Sequence, residues 1–441
     1  MDSALSLGLL LTISILTCVG MIVAAVIKPK VQIRRIALDT YWIIALGGAL
    51  LLLVFGLVSP SALIAGLTAD TAINPLKILV LFLAMTFISI FLDELGFFRY
   101  VADKTVKFAG ASQIRLFLAF YAVISLLTIF TSNDIIILTF TPFICYFAKY
   151  TGINPIPYLV LEFVAANTWS MILIIGNPTN IYLASSFGIT FMDYLSVMAL
   201  PTIAGSLIAL LIIWILFHRQ LSSPLSPVLS SVTLQDKIGV GIGLVHLCVC
   251  VVFLALSSYL NVEMWLVSLI CACSLAVCTL ILSLVRKHVP RELGTAACRV
   301  PWQFIPFILA MFTIVLALSA ANVTATIAHV LDCADPVWTY GVSSFLASNL
   351  INNIPMSVLF TFVLGSGPVS SLAAGVYASV IGSNIGAFLT PIGALAGLMW
   401  MNIIKKQGIQ YSFGQFIKYG MLVAVPALIA ALGMLSIVLS C

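Results

Sequence analysis

The residues of this chain that could do chemistry fall into two clusters set about 217 positions apart. The first holds Ser132-Asn133-Asp134, then Asn167, then Gly176-Asn177-Pro178-Thr179-Asn180. The second holds Ser348 and Asn349, Asn352-Asn353, then Asn384, then Thr390-Pro391-Ile392-Gly393. The step from Asn133 to Asn352 is 219; from Asn167 to Asn384 and from Gly176 to Gly393 it is 217. Asparagine, serine and threonine side chains both donate and accept hydrogen bonds. Proline removes a backbone donor and disfavours helix at the residue before it, and glycine lets the chain turn. A helix broken this way frees N–H groups where it restarts, which suit an anion or polar neutral solute. It frees carbonyls where it ends, which suit a cation. The chemistry expected is reversible binding of a small solute and an ion.

Two acidic residues add charge. Asp134 stands in the first cluster and is the candidate for a coupling proton or cation site. The bland alternative is a buried structural hydrogen bond. Glu162, five residues before Asn167, is read equally as a second coupling carboxylate or as an interhelical hydrogen bond. Asp93 and Glu94, in Leu92-Asp93-Glu94-Leu95-Gly96-Phe97-Phe98, have a local structural or gating role. His218, His246, His288 and His329 form no constellation, and no GxxxxGK[ST] phosphate loop is present. Cys248, Cys250, Cys271, Cys273 and Cys278 lie in apolar runs without CxxC spacing. They are expected to act as small hydrophobes, with no metal and no cofactor.

The elements that must position these residues follow from composition. Hydrophobic residues make up 62% and charged ones 7%, against roughly 45–50% and 25% in soluble domains. Such a chain cannot cover a water-facing surface and is expected to be a polytopic membrane protein. Apolar runs of about 20 residues indicate helices, not barrel strands. Spans are expected near 4–27, 39–58, 76–98, 155–188, 195–217, 238–259, 265–285, 301–319, 366–403 and 417–440. The first has neither the basic start nor the cleavage-type end of a signal peptide. Two double-length runs, 116–149 and 337–363, are each interrupted near the middle by one polar cluster.

Charge tests how these runs cross. If both double-length runs are re-entrant hairpins and both termini lie outside, the positive residues collect on the cytoplasmic side. They are Lys28, Lys30, Arg34, Arg35, Arg99, Lys104, Lys107, Arg115, Lys149, Arg219 and Lys237 in one series. Arg286, Lys287, Arg291, Arg299, Lys405, Lys406 and Lys418 complete it, so that of 19 lysines and arginines only Lys77 is left outside. That bias obeys the positive-inside rule, and counting either hairpin as a crossing destroys it. The expected fold is therefore all-α: two inverted-topology repeats, each of five membrane spans plus one re-entrant hairpin and a broken helix. Residues 1–221 form the first repeat, 222–237 a Ser/Pro-rich cytoplasmic linker and 238–441 the second. The net charge of +5 comes from this topology and implies no nucleic-acid partner.

These motifs resemble the ion transporter superfamily, most closely its arsenite-efflux permease branch of the ArsB type. The likeness runs over nearly the whole chain. It rests on Leu92-Asp93-Glu94-Leu95-Gly96-Phe97-Phe98, Ser132-Asn133-Asp134 with Thr141-Pro142, and Asn352-Asn353-Ile354-Pro355. It also rests on Phe388-Leu389-Thr390-Pro391-Ile392-Gly393-Ala394-Leu395-Ala396 with Trp400 and Lys406-x-Gly408-Ile409. The resemblance implies a bacterial or archaeal inner membrane, and a homodimer or a soluble ATPase subunit as partner. Permeases of that type carry aspartate where this chain has Asn167 and Asn384. Glu162 and Gly176–Asn180 look more like the broader branch that includes anion permeases, sodium/proton antiporters and the melanosomal P-protein type.

The leading functional reading is a secondary transporter exporting neutral arsenite or antimonite hydroxide in exchange for protons. A sodium- or proton-coupled permease for an inorganic or carboxylate anion is a second reading, using helix N-termini at Pro178 and Pro391. A sodium/proton antiporter centred on Asp134 is a third, and a passive pore a fourth. No nucleophile–base or metal-ligand set points to an enzyme.

Overall fold

A computed structural model describes residues 3–28, 30–33, 36–69, 74–224, 232–287 and 289–440. Arg34, Arg35, His288 and residues 225–231 of the linker lie outside the described residues. The chain opens with α1 (Ser3–Ile27), a two-stranded antiparallel hairpin of β1 (Lys30–Ile33) and β2 (Ile36–Asp39), α2 (Thr40–Val54) and α3 (Pro60–Thr68). Then come α4 (Pro75–Glu94), α5 (Phe97–Ala109), α6 (Gln113–Phe130), α7 (Asn133–Thr151), α8 (Ile156–Trp169), α9 (Pro178–Ser185) and α10 (Phe191–Leu221). After the linker follow α11 (Lys237–Leu256), α12 (Met264–Arg286), α13 (Arg291–Arg299), α14 (Phe304–Ala320) and α15 (Val323–Leu331). The chain closes with α16 (Pro336–Ile351), α17 (Asn353–Ser366), α18 (Val369–Gly386), α19 (Leu395–Lys406) and α20 (Phe413–Ser440).

Nine segments among the described residues are helical, long and apolar enough to cross a bilayer, as a polytopic membrane protein requires. Two details depart from the expected map. The run at 39–58 yields α2 of only 15 residues, which at about 1.5 Å per residue falls short of a hydrocarbon core of about 30 Å. The β1–β2 hairpin is a small exception to an all-α chain; it pairs Lys30 with Asp39 and Val31 with Leu38. Counting apolar runs also missed the short helices α3, α5, α13 and α15. The faces of α5 show why: Phe98, Ala102, Val106 and Ala109 are buried, while Lys104 and Lys107 are exposed.

The same order recurs in each half: a long helix, a short helix, two helices joined by a one- or two-residue link, a broken helix and a long final helix. The links are Thr131-Ser132 and Asn352, and both are capped alike. Ser132 Oγ accepts the Asp134 N–H at 3.3 Å, and Asn352 Oδ1 accepts the Ile354 N–H at 3.4 Å. The caps therefore pair Ser132 with Asn352 and Asn133 with Asn353. This corrects the sequence register, which paired Asn133 with Asn352. Asp134 then stands against Ile354. The two breaks have equal length, 170–177 and 387–394. Asn177 and Ala394 cap the restarted helices with nearly identical backbone angles (φ −149°, ψ 142° and φ −144°, ψ 152°). Here the spacing of 217 is matched, and it corrects another expectation. Pro178 opens α9, whereas Pro391 lies inside the break and α19 begins four residues later.

Packing fixes these parts against one another. α16 lies along α18, α10 along α20, and α2 between α1 and α14. A side chain on Gly382 would collide with the Gly341 carbonyl, so α16 and α18 approach at backbone distance. α7 packs on α19, and α17 on α9. Each linked helix pair thus touches the restarted helix of the other half.

Candidate functional site

The two broken helices meet in a hydrogen-bonded knot built from both halves. Asn384 is its centre and is fully buried. Its Oδ1 accepts from Asn177 Nδ2 at 2.8 Å and from Ser170 Oγ at 3.0 Å, and its Nδ2 donates to Asn180 Oδ1 at 2.7 Å. Asn180 Nδ2 in turn donates to the carbonyls of Ser170 (2.7 Å) and Leu173 (3.2 Å), satisfying acceptors that the end of α8 leaves free. Thr179 and Ser383 share a hydrogen bond of 3.1 Å, and Asn177 Oδ1 caps the Thr179 N–H at 3.1 Å. Gly176 belongs here because a Cβ would collide with the Ser170 carbonyl oxygen.

The second link is tied to the second break just as completely. Asn349 Oδ1 accepts from Thr390 Oγ1 at 2.7 Å and from its N–H at 3.1 Å, and Asn349 Nδ2 donates to the Gly386 carbonyl at 3.0 Å. Asn352 Nδ2 donates to the Ile392 carbonyl at 3.0 Å, and the Asn353 N–H to the Gly393 carbonyl at 3.0 Å. Ser348 Oγ closes on the Phe345 carbonyl within its own helix. Most of the clustered residues therefore spend their hydrogen bonds on each other.

The first link differs. Asn133 Nδ2 donates to Asn167 Oδ1 at 3.1 Å, but the buried Asn133 Oδ1 has no partner among the described residues. The Asp134 carboxylate, half-buried in the first turn of α7, also has no hydrogen bond or ion pair among them. A buried acceptor is almost always satisfied, so the open Asn133 Oδ1, next to a partly exposed carboxylate, stands out from the tied residues around it. The Tyr41 hydroxyl, buried on α2 and likewise unpartnered, lies within electrostatic range of Asp134.

Glu162 resolves differently from Asp134. It is fully buried and accepts from Thr141 Oγ1 at 3.0 and 3.2 Å and from Trp400 Nε1 at 3.1 Å. It joins α7, α8 and α19 in one contact, the interhelical bond that was one of its two readings. Asp93 and Glu94 form a clasp. Arg299 Nη2 lies 2.8 Å from Asp93 Oδ2, Arg299 Nη1 bonds Glu94 Oε1, and Thr139 of α7 donates to Asp93 Oδ1 at 2.7 Å. Sequence reasoning missed Ser170, Ser383 and Trp400 as partners. No local signal marks them, because their bonds reach across 214, 204 and 238 positions.

With this geometry in view, the comparisons are informative. Residues 35–380 match the family model described as citrate transporter, CitMHS. The chain belongs to that family. It is a membrane transporter of this broad type, similar to the arsenical pump membrane protein of Escherichia coli K12. The two are 27% identical over 375 residues, covering 81% of this chain and 86% of that protein. The putative arsenical pump membrane protein of Bacillus subtilis is also 27% identical, covering 77% of this chain and 82% of its own length. In fold the chain is similar to the crystal structure of the Alcanivorax borkumensis YdaH transporter. The TM-score is 0.54 at 14% identity, with 98% of both chains covered.

Proposed function

We propose that this chain is a secondary transporter moving a small neutral trihydroxide, arsenite or antimonite, out of the cell in exchange for protons. The observation that carries this reading is the pair of open acceptors, Asn133 Oδ1 and the Asp134 carboxylate, at the α6–α7 link. A hydroxylated neutral solute brings the donors such a place lacks. No lysine or arginine occurs between Arg115 and Lys149, between Lys149 and Arg219, or between Arg299 and Lys405. A multivalent anion held there would meet no fixed positive charge. The names of the arsenical pump relatives support the same solute. Asp134 supplies the coupling, because a bare carboxylate at membrane depth costs about 2.5–3.5 kcal/mol and is relieved by a proton.

The architecture of the proposal is two inverted repeats, 1–221 and 238–441, whose linked helices are re-entrant hairpins with tips near the midplane. The equal breaks, the matching caps and the crossed contacts α7–α19 and α17–α9 support it. The charge distribution supports both termini outside, and the bacterial relatives support the inner membrane of a prokaryote.

One finding favours a second reading, a coupled carboxylate permease: the description of the family itself. Against it, the first free N–H of α9 is already capped by Asn177. Everted vesicles decide between the readings by comparing proton-driven arsenite accumulation, citrate uptake and sodium-induced collapse of a pH gradient. Arsenite accumulation that needs the proton gradient is the expected result. Citrate uptake or sodium-induced collapse without arsenite transport overturns the proposal.

A further inference from the structure

Outside the knot, three helices bring sulfur atoms together. Cys250 of α11 is fully buried, and its Sγ lies 3.4 Å from Met85 Sδ of α4. Cys271 of α12, itself buried, lies close enough to Cys250 for the two thiols to interact across the α11–α12 packing. The sequence suggested only small hydrophobes here, since no spacing motif links positions 250 and 271. Packing of α4 with α11 and α12 creates the pairing.

One end of α4 and of α12, with the chain between α9 and α10 and between α11 and α12, lines an open cleft of about 490 Å³ whose walls include Lys77, Leu81, Ser257, Glu263, Met264 and Trp265. Met85 lies four residues along α4 from Leu81, Cys250 seven along α11 from Ser257, and Cys271 seven along α12 from Met264. At about 1.5 Å per residue, the sulfurs stand roughly 6–10 Å along these helices from the cavity wall. A small solute that enters the cleft is about one helical turn from the Met85 thioether and about two from the two thiols.

We infer that Cys250 and Cys271, flanked by the Met85 thioether, form a soft capture site for a trivalent metalloid hydroxide, separate from the hairpin-tip site. Thiol and thioether ligands select soft acceptors. Sulfurs sharing one centre at about 2.3 Å each stand less than about 4 Å apart, and the 3.4 Å Cys250–Met85 separation falls inside that limit. The charge balance also fits an apolar interior. When a trivalent hydroxide reacts with two thiols, two arsenic–sulfur bonds form and two arsenic–oxygen bonds break. The thiol protons leave with the hydroxides as two waters, and the arsenic keeps its oxidation state. The product is neutral, so no charge is left in hydrocarbon. A divalent cation held by the same two thiols would need both deprotonated first.

The test is independent of what the transport site carries. The purified full-length protein in micelles is incubated with phenylarsine oxide, which condenses with two thiols and releases one water. The expected result is one adduct per chain by native mass spectrometry, mapping to the peptides of Cys250 and Cys271. The adduct is lost in both Cys250→Ser and Cys271→Ser and kept in Cys273→Ser, whose cysteine is exposed. An unmodified wild-type chain, or an adduct mapping to other cysteines, overturns the inference without reference to any variant's folding.

Discussion

The two helix links carry the same capping hydrogen bond and opposite chemistry. At Asn352-Asn353 the side-chain amide and the backbone N–H are spent on the Ile392 and Gly393 carbonyls. At Ser132-Asn133-Asp134 the buried Asn133 Oδ1 and the partly exposed Asp134 carboxylate have no partner among the described residues. The second link is a stitch that holds a broken helix in place; the first is the one proposed to bind. If the proposed site is right, the two links divide their labour unevenly, and the first carries the binding work.

Breaking the knot between the halves should have the largest structural effect. Asn384→Ala removes three interhelical hydrogen bonds, and at about 0.6 kcal/mol each in membrane proteins the loss is about 2 kcal/mol. Thermal unfolding in detergent should show a lowered Tm together with lost transport. The comparison between links sharpens with a pair of variants. Asn133→Ala should raise the KM for arsenite about tenfold, the equivalent of about 1.4 kcal/mol, with little change in Tm. Asn352→Ala should do the reverse, lowering Tm slightly while leaving KM near wild type. If both variants behave alike, the division of labour is wrong.

Glu162→Gln keeps two acceptor–donor contacts with Thr141 and Trp400 within reach, so transport should retain its dependence on the proton gradient. Loss of that dependence would move the coupling from the α7 tip to the α7–α8–α19 contact. The smallest effect belongs to Asp236 at the start of α11. Burial alone would raise its carboxyl, but the Gly239 N–H and the Arg286 guanidinium outweigh it and hold it below the usual carboxylate range. The stability this pair gives is present above the unfolded value near 3.9 and is lost as pH falls through the lower folded value. Both side chains are about one-third exposed, so Asp236→Asn should cost under about 1 kcal/mol at neutral pH, read as a small shift in Tm.

Much of this was legible in the sequence because hydrocarbon is an unforgiving solvent. Polar residues in apolar runs need a reason, and the spacing of 217 from Asn167 to Asn384 carries through to the equal breaks. The register at the links was misread by one residue, because the repeated Asn-Asn hides which asparagine is the cap and which the first helical residue. Pro391 was mistaken for a helix start because proline breaks a helix wherever it stands in the turn. The sorting of polar residues into tied and open ones was beyond the sequence altogether. Asn180 and Asn133 look equivalent as letters; only the positions of Ser170 and Asn384 show that the first is used up.

The central claim, that the open carboxylate at the α6–α7 link couples the cycle, is tested most directly by Asp134→Asn in everted vesicles. The account predicts that proton-driven arsenite accumulation falls by about 100-fold or more, the range of losing about 3 kcal/mol, while the folded protein remains in the membrane. Accumulation that persists in Asp134→Asn with its proton dependence unchanged would contradict it.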